Sequence, residues 1–105
     1  MPELHYVILR HEGIADPHFD LLFETAQGSE LAAWRSPDWP VTPATTLTPL
    51  PLHRRAYLTY EGPISDNRGH VRRIHSGTHN IQQLTPAALV TTTESGQPLT
   101  LPFSR

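Results

Sequence analysis

The chain has no cysteine, so it can build neither a disulfide framework nor a thiolate metal site, and any metal must be held by histidine and carboxylate. Lysine is absent too: the eight basic residues are all arginine, set against ten acidic residues for a net charge of −2. Arginine offers phosphate a planar fork where lysine offers a point charge. The bias is nevertheless read first as composition, because a slightly acidic balance does not mark a protein that binds nucleic acid through bulk charge. Arg54-Arg55 and Arg72-Arg73 are the two adjacent basic pairs. No apolar run is long enough to span a bilayer, and the N-terminus lacks the basic-then-apolar layout of a signal peptide. The expectation is a soluble cytoplasmic protein with no membrane partner.

Long helices are disfavoured as well, because 11 prolines interrupt a chain of 105 residues. What remains is short apolar and Thr-rich runs separated by turn residues. They predict strands over 4–11, 18–25 and 29–35, then a Pro-rich connection from Ser36 to Pro51 with a short strand near Thr45–Leu50. A further strand is expected over Arg54–Tyr60, stopped by Gly62-Pro63. The tight-turn sequence Asp66-Asn67-Arg68-Gly69 leads to a strand over His70–His75, which Ser76-Gly77 should break. Thr78–Leu84, Ala88–Thr93 and Pro98–Phe103 complete the set, with Glu94-Ser95-Gly96-Gln97 as a hairpin turn. Thr85 followed by Pro86 fits one capped helical turn. About seven to nine short strands in a single domain spanning residues 1–105 point to an all-β fold, a small closed or partly open β-barrel, since closure protects sheet edges.

Three residues of metal-ligand type fall within ten positions at His11, His18 and Asp20. Side chains alternate along a strand, so His18 and Asp20 share a face, and a hairpin would return His11 across from them. Two imidazoles and a carboxylate on one face suit a divalent cation with open coordination positions. The competing reading is an ordinary polar strand with Asp20 paired to an arginine. A small metal oxygenase also uses two histidines and a carboxylate, but such enzymes place the His-x-acid pair before the distant histidine, the reverse of the order here. Of the remaining histidines, His5, His70, His75 and His79 are read as surface or barrel-rim residues.

A second group lies at His53, Arg55, Tyr57 and Thr59, which would share one face of the expected 54–60 strand. Such a partly polar face suits the lining of a site, or equally a solvent-facing strand with Tyr57 half-buried.

Taken in order, these elements are His11, His18-x-Asp20-Leu21-x-x-Glu24, Trp34-x-x-Pro37, His53-x-x-x-Tyr57-x-x-Tyr60-Glu61-Gly62-x-Ile64 and Gly77-Thr78. Over about the first three quarters of the chain this order resembles the 3′-phosphoesterase domain of bacterial DNA ligase D. The resemblance implies a compact β-barrel that binds a divalent metal, usually manganese, with zinc or another transition metal as alternatives. It implies removal of a terminal ribonucleotide or a 3′-phosphate from DNA. DNA or RNA/DNA 3′ ends would be the partners, together with other DNA-repair proteins. By the same resemblance His11, His18 and Asp20 match metal ligands, and His53 and Tyr57 match the catalytic histidine and tyrosine. Glu24, Trp34, Glu61 and Gly62 match framework positions.

The chain departs from that pattern where the family places cations. Leu22 stands where an arginine follows the metal-binding aspartate, and the gap from His11 to His18 is one residue longer. Asp38-Trp39 replaces a lysine, and a Thr/Pro stretch replaces an arginine ahead of His53. Losing one preorganised donor to a transition-state charge costs about 100-fold to 1,000-fold in rate. Arg35, Arg55 and Arg73 are the candidates to compensate, with Arg35 and Arg55 assigned to phosphate binding. The alternative is a catalytically impaired barrel that binds metal and nucleic-acid ends or a protein partner.

Overall fold

The computed structural model describes residues 3–104. The fold is all-β: one antiparallel sheet, curled into a partly open barrel. Its strands are β1 (Leu4–Glu12), β2 (His18–Glu24), β3 (Leu31–Ser36), β4 (Thr48–His53), β5 (Gly62–Pro63), β6 (His70–Leu84), β7 (Ala88–Thr93) and β8 (Pro98–Pro102). The order across the sheet is β4-β3-β2-β1-β6-β7-β8, with the short β5 paired to β6. No helix among the described residues is long and apolar enough to cross a membrane.

Both faces of the central strands are apolar, and each packs a separate core. On the first face Tyr6, Ile8, Leu21, Phe23 and Trp34 meet Leu89, Leu99 and Leu101, brought over them by the β7–β8 hairpin. The Trp34 indole N–H donates to the Pro102 carbonyl, tying β3 to the end of β8. On the second face Val7, Leu9, Leu22, Leu31, Ala33 and Val71 form a floor covered by Leu50, Tyr57, Leu58 and Ile64. Alternation alone produces this division: odd positions of β1 and even positions of β2 serve the second face.

The expected strand over 54–60 is instead a one-turn 3₁₀ helix, Arg55–Leu58. The chain turns there because Tyr57 and Leu58 must drop onto the second-face core while Arg55 reaches back to Glu24. An extended backbone would send Tyr57 and Leu58 to opposite sides. The expected break at Ser76-Gly77 is also absent, and β6 runs through it. The strand is irregular on either side of it instead, with a bulge where Ile8 pairs with His75 and Leu9 with Arg73, and a second between Ile81 and Gln83 in the pairing with β7. Gly77 serves close approach: a Cβ there would stand 2.1 Å from a Glu94 carboxylate oxygen. Thr85 does not cap a helical turn; its hydroxyl accepts the Ala87 and Ala88 N–H groups within the tight β6–β7 connection.

Candidate metal centre and its cleft

The β1–β2 hairpin places His11 directly opposite His18, with Leu9 opposite Asp20. All three candidate ligands therefore point from the second face, and one ligand atom from each lies within 4.8 Å of the others. His18 and Asp20 are buried, and His11 is half-buried. Asp20 Oδ2 lies 3.5 Å from His11 Nδ1, and Asp20 Oδ1 lies 3.2 Å from His18 Nε2.

The outer nitrogens decide what those inner atoms offer. His11 Nε2 lies 2.7 Å from the Arg68 carbonyl, and His18 Nδ1 lies 2.8 Å from the Asp16 carbonyl. A carbonyl only accepts, so each outer nitrogen carries a proton. In the neutral rings, His11 Nδ1 and His18 Nε2 then turn lone pairs toward a carboxylate that also offers lone pairs. Three acceptors facing one another repel unless positive charge sits among them. Backbone carbonyls that fix the tautomer from behind are the usual outer support of metal-binding imidazoles. The donor set, two nitrogens and one oxygen, fits a divalent transition ion with open positions.

A cleft of about 230 Å³ extends from this trio, walled by Arg35, His53, Tyr57, Ile64 and Arg68 above Leu9, Leu50 and Val71. Arg35 is the β3 partner of Asp20, is exposed, and makes no ion pair among the described residues. His53 ends β4, and its Nδ1 lies 3.0 Å from the Pro51 carbonyl. That bond makes Nδ1 the protonated atom and leaves Nε2 as the atom that takes up or gives a proton. Tyr57 stands edge-on to His53, the ring centroids 5.8 Å apart. His11, His18, Asp20, Arg35, His53 and Tyr57 thus share one cleft.

Arg55 does not join them. Its guanidinium pairs with the buried carboxylate of Glu24 and donates to the Ser29 carbonyl at 2.9 Å. Burial alone would raise the Glu24 carboxyl. The Arg55 hydrogen bond, aided by the His5 and Gly28 N–H groups, outweighs burial and holds it below the usual carboxylate range. Arg55 therefore anchors the 3₁₀ turn rather than serving as a phosphate ligand. Arg73 is likewise engaged, its side chain on the Leu58 carbonyl and its N–H on Glu61.

Leu22 is fully buried in the apolar floor. It leaves no cationic side chain beneath the trio, and the cleft's cations come from its rim. Arg68 was not legible as a site residue. The Asp66-Asn67-Arg68-Gly69 turn could be read, but its return beneath His11 depends on β5 and β1 both pairing with β6. Among the remaining histidines, His79 proves buried, bound to Thr91 Oγ1 at 2.6 Å and to the Glu24 carbonyl at 2.9 Å. β6 carries it into the first-face core, edge-on to Phe23 and Tyr6, where desolvation lowers its pKa.

Comparison of the chain with protein-family models and with curated proteins returns no match to either.

Proposed function

We propose that the chain is a divalent-metal phosphoesterase acting on 3′-phosphate or 3′-ribonucleotide ends of DNA, as its resemblance to the DNA ligase D domain implies. One observation carries the reading: three inward lone-pair donors, tautomers set by backbone carbonyls, open into a cleft that also holds an unpaired arginine, a histidine and a tyrosine. When bound at His11, His18 and Asp20, a divalent ion, manganese in the first instance, supplies Lewis-acid polarisation and a water of lowered pKa.

The chain's own residues do the rest. Arg35 holds the phosphate and offsets its charge; Arg68, whose Nε and Nη2 donate to Ser65, adds its remaining Nη1 donor. Tyr57 donates its hydroxyl to a non-bridging oxygen. The water oxygen bonds to phosphorus, giving up one proton to solvent, as the bond to the 3′ oxygen breaks. Protonated His53 delivers its Nε2 proton to that leaving oxygen, giving a 3′-hydroxyl and inorganic phosphate; His53 is then reprotonated from solvent. The apolar floor of Leu9, Leu50 and Val71 keeps bulk water from below, which strengthens each of these contacts.

The test is manganese-dependent phosphate release from an oligonucleotide bearing a 3′-phosphate, alongside direct manganese titration by electron paramagnetic resonance. His18→Ala and Asp20→Ala should each weaken manganese binding by about 100-fold or more. Phosphate release should fall in parallel, and release undiminished in the double variant sinks the assignment. A second reading, a barrel that binds nucleic-acid ends without turnover, draws on the burial of Leu22 where the resembling enzymes carry an arginine. Binding of 3′-phosphate ends without release would favour it.

A further inference from the structure

The cleft does not end at Tyr57. Beyond that ring lies a second groove of about 300 Å³, lined by Arg54, Tyr57, Tyr60, Pro63 and Ile64, and the two cavities share Tyr57 and Ile64 as a common wall. The groove has an exposed aromatic platform. Tyr60 is 37% exposed, against a core in which every other tyrosine is partly or fully buried. Its ring stands edge-on to Tyr57, the centroids 5.8 Å apart at 88°, and its hydroxyl donates to the Pro63 carbonyl. Gly62, at φ +136, admits the hydroxyl; a Cβ there would stand 3.1 Å from it. A ring held at both its edge and its tip loses little freedom when a flat group stacks on it.

The groove also has an unspent charge. Of the adjacent pair Arg54-Arg55, Arg55 is neutralised by Glu24, while Arg54 is exposed and makes no ion pair among the described residues. Arg54 lies in the extended residue that leads into the 3₁₀ turn, at φ −67 and ψ 143. An exposed aromatic face beside a free guanidinium, one cavity removed from a phosphate-sized cleft, is the combination that receives one nucleotide of a single strand.

We propose that this groove is the subsite for the nucleotide on the 5′ side of the reacting end, its base stacked on Tyr60 and its linking phosphate held by Arg54. The inference rests on the reading of the metal cleft as the seat of the 3′-terminal phosphate. It narrows the substrate class to unpaired 3′ ends, because a base stacked on Tyr60 cannot stay stacked and paired within a duplex. It also assigns the two arginines different tasks: Arg35 serves the terminal phosphate and Arg54 the next one along the chain.

The test is competition, read by fluorescence anisotropy, against a fluorescein-labelled oligothymidylate bound to the manganese-loaded protein. The competitors are thymidine 3′-phosphate, the thymidine dinucleotide with a 3′-phosphate, and a blunt duplex with the same end. The dinucleotide should compete about tenfold better than the mononucleotide and about tenfold better than the duplex. Tyr60→Ala and Arg54→Ala should each remove most of the dinucleotide's advantage and leave the mononucleotide unchanged, while Tyr60→Phe keeps it. Equal competition by all three ligands, variants that weaken mononucleotide and dinucleotide alike, or failure of the oligothymidylate to bind would each overturn the subsite. Phosphate release, followed separately on the same ligands, judges the phosphoesterase reading. Selective dinucleotide binding without release retains the subsite and rejects the catalysis.

Discussion

At the scale of single residues, the direction of a proton matters more here than the identity of a side chain. His11 and His18 would be unremarkable strand histidines if their inner nitrogens carried hydrogens toward Asp20. In the neutral rings the carbonyls of Arg68 and Asp16 reverse that, leaving lone pairs facing inward. Leu22 shows the opposite economy, a residue whose role is to pack. Introducing a cation by Leu22→Arg buries an unpaired charge among Val7, Leu31 and Ala33. Urea denaturation should show a loss of at least about 3 kcal/mol, and phosphate release should not rise. His79 supplies a pH dependence. Desolvation lowers its folded pKa below the 6.5 of the free side chain. Its contribution is therefore complete above that value, and as pH falls the unfolded chain binds the proton first, so stability declines. Denaturation between about pH 7.5 and about pH 5.5 should show the advantage of the wild type over His79→Gln shrinking toward the acid end.

At the scale of elements, the site depends on two short connections rather than on the strands they join. The 66–69 turn places both Asp66 and Asn67 at positive φ, and Gly69 at φ +78 lies against β1. A Cβ on Gly69 would stand 2.1 Å from the Glu12 carbonyl, a backbone atom that cannot swing aside. Gly69→Ala should cost about 2 kcal/mol or more in thermal or urea unfolding. Manganese affinity should weaken with it, because the displaced turn carries the Arg68 carbonyl that sets the His11 tautomer. The 3₁₀ turn is the second connection, and it sorts its neighbours by chemistry: Arg55 goes to Glu24, Tyr57 to the cleft wall, and Arg54 to the outer groove. Alternation along a strand had grouped His53, Arg55 and Tyr57 together. A single turn of helix keeps His53 and Tyr57 and removes Arg55.

At the scale of the whole molecule, one sheet with two apolar faces divides the labour. The first face closes over the β7–β8 hairpin and holds the barrel together, with Tyr6 stacked on Phe23 at 4.9 Å and its hydroxyl bonded to Glu94. Burial and the Glu94 carboxylate raise the Tyr6 pKa, so that hydroxyl stays protonated. The second face is left to the cleft. With a net charge of −2, bulk charge would not draw in a nucleic-acid end, so the proposed binding rests on local cations at the rim. Binding of oligothymidylate should therefore depend weakly on salt. Two to three phosphate contacts, from Arg35, Arg54 and Arg68, predict a log–log slope between about −1.4 and −2.1. A much steeper slope would mean a charged surface elsewhere on the barrel.

Composition and period-two patterning determined by themselves that the chain is all-β, where most strands run, and that His18 and Asp20 share a face to which a hairpin would return His11. Those properties are local: alternation and turn chemistry act over a few residues and survive without knowledge of the rest. Only the tertiary structure decided which arginines are free. Arg55 lies 31 residues from Glu24 in the chain, and nothing in its own segment announces that a buried carboxylate would claim it. Only the structure, too, put the Arg68 carbonyl behind His11, 57 residues away, and carried His79 into the core. The physical reason is the same in each case. A carboxylate, a carbonyl or an imidazole buried by the fold must find its partner wherever the strands cross, and sequence spacing does not record where that is.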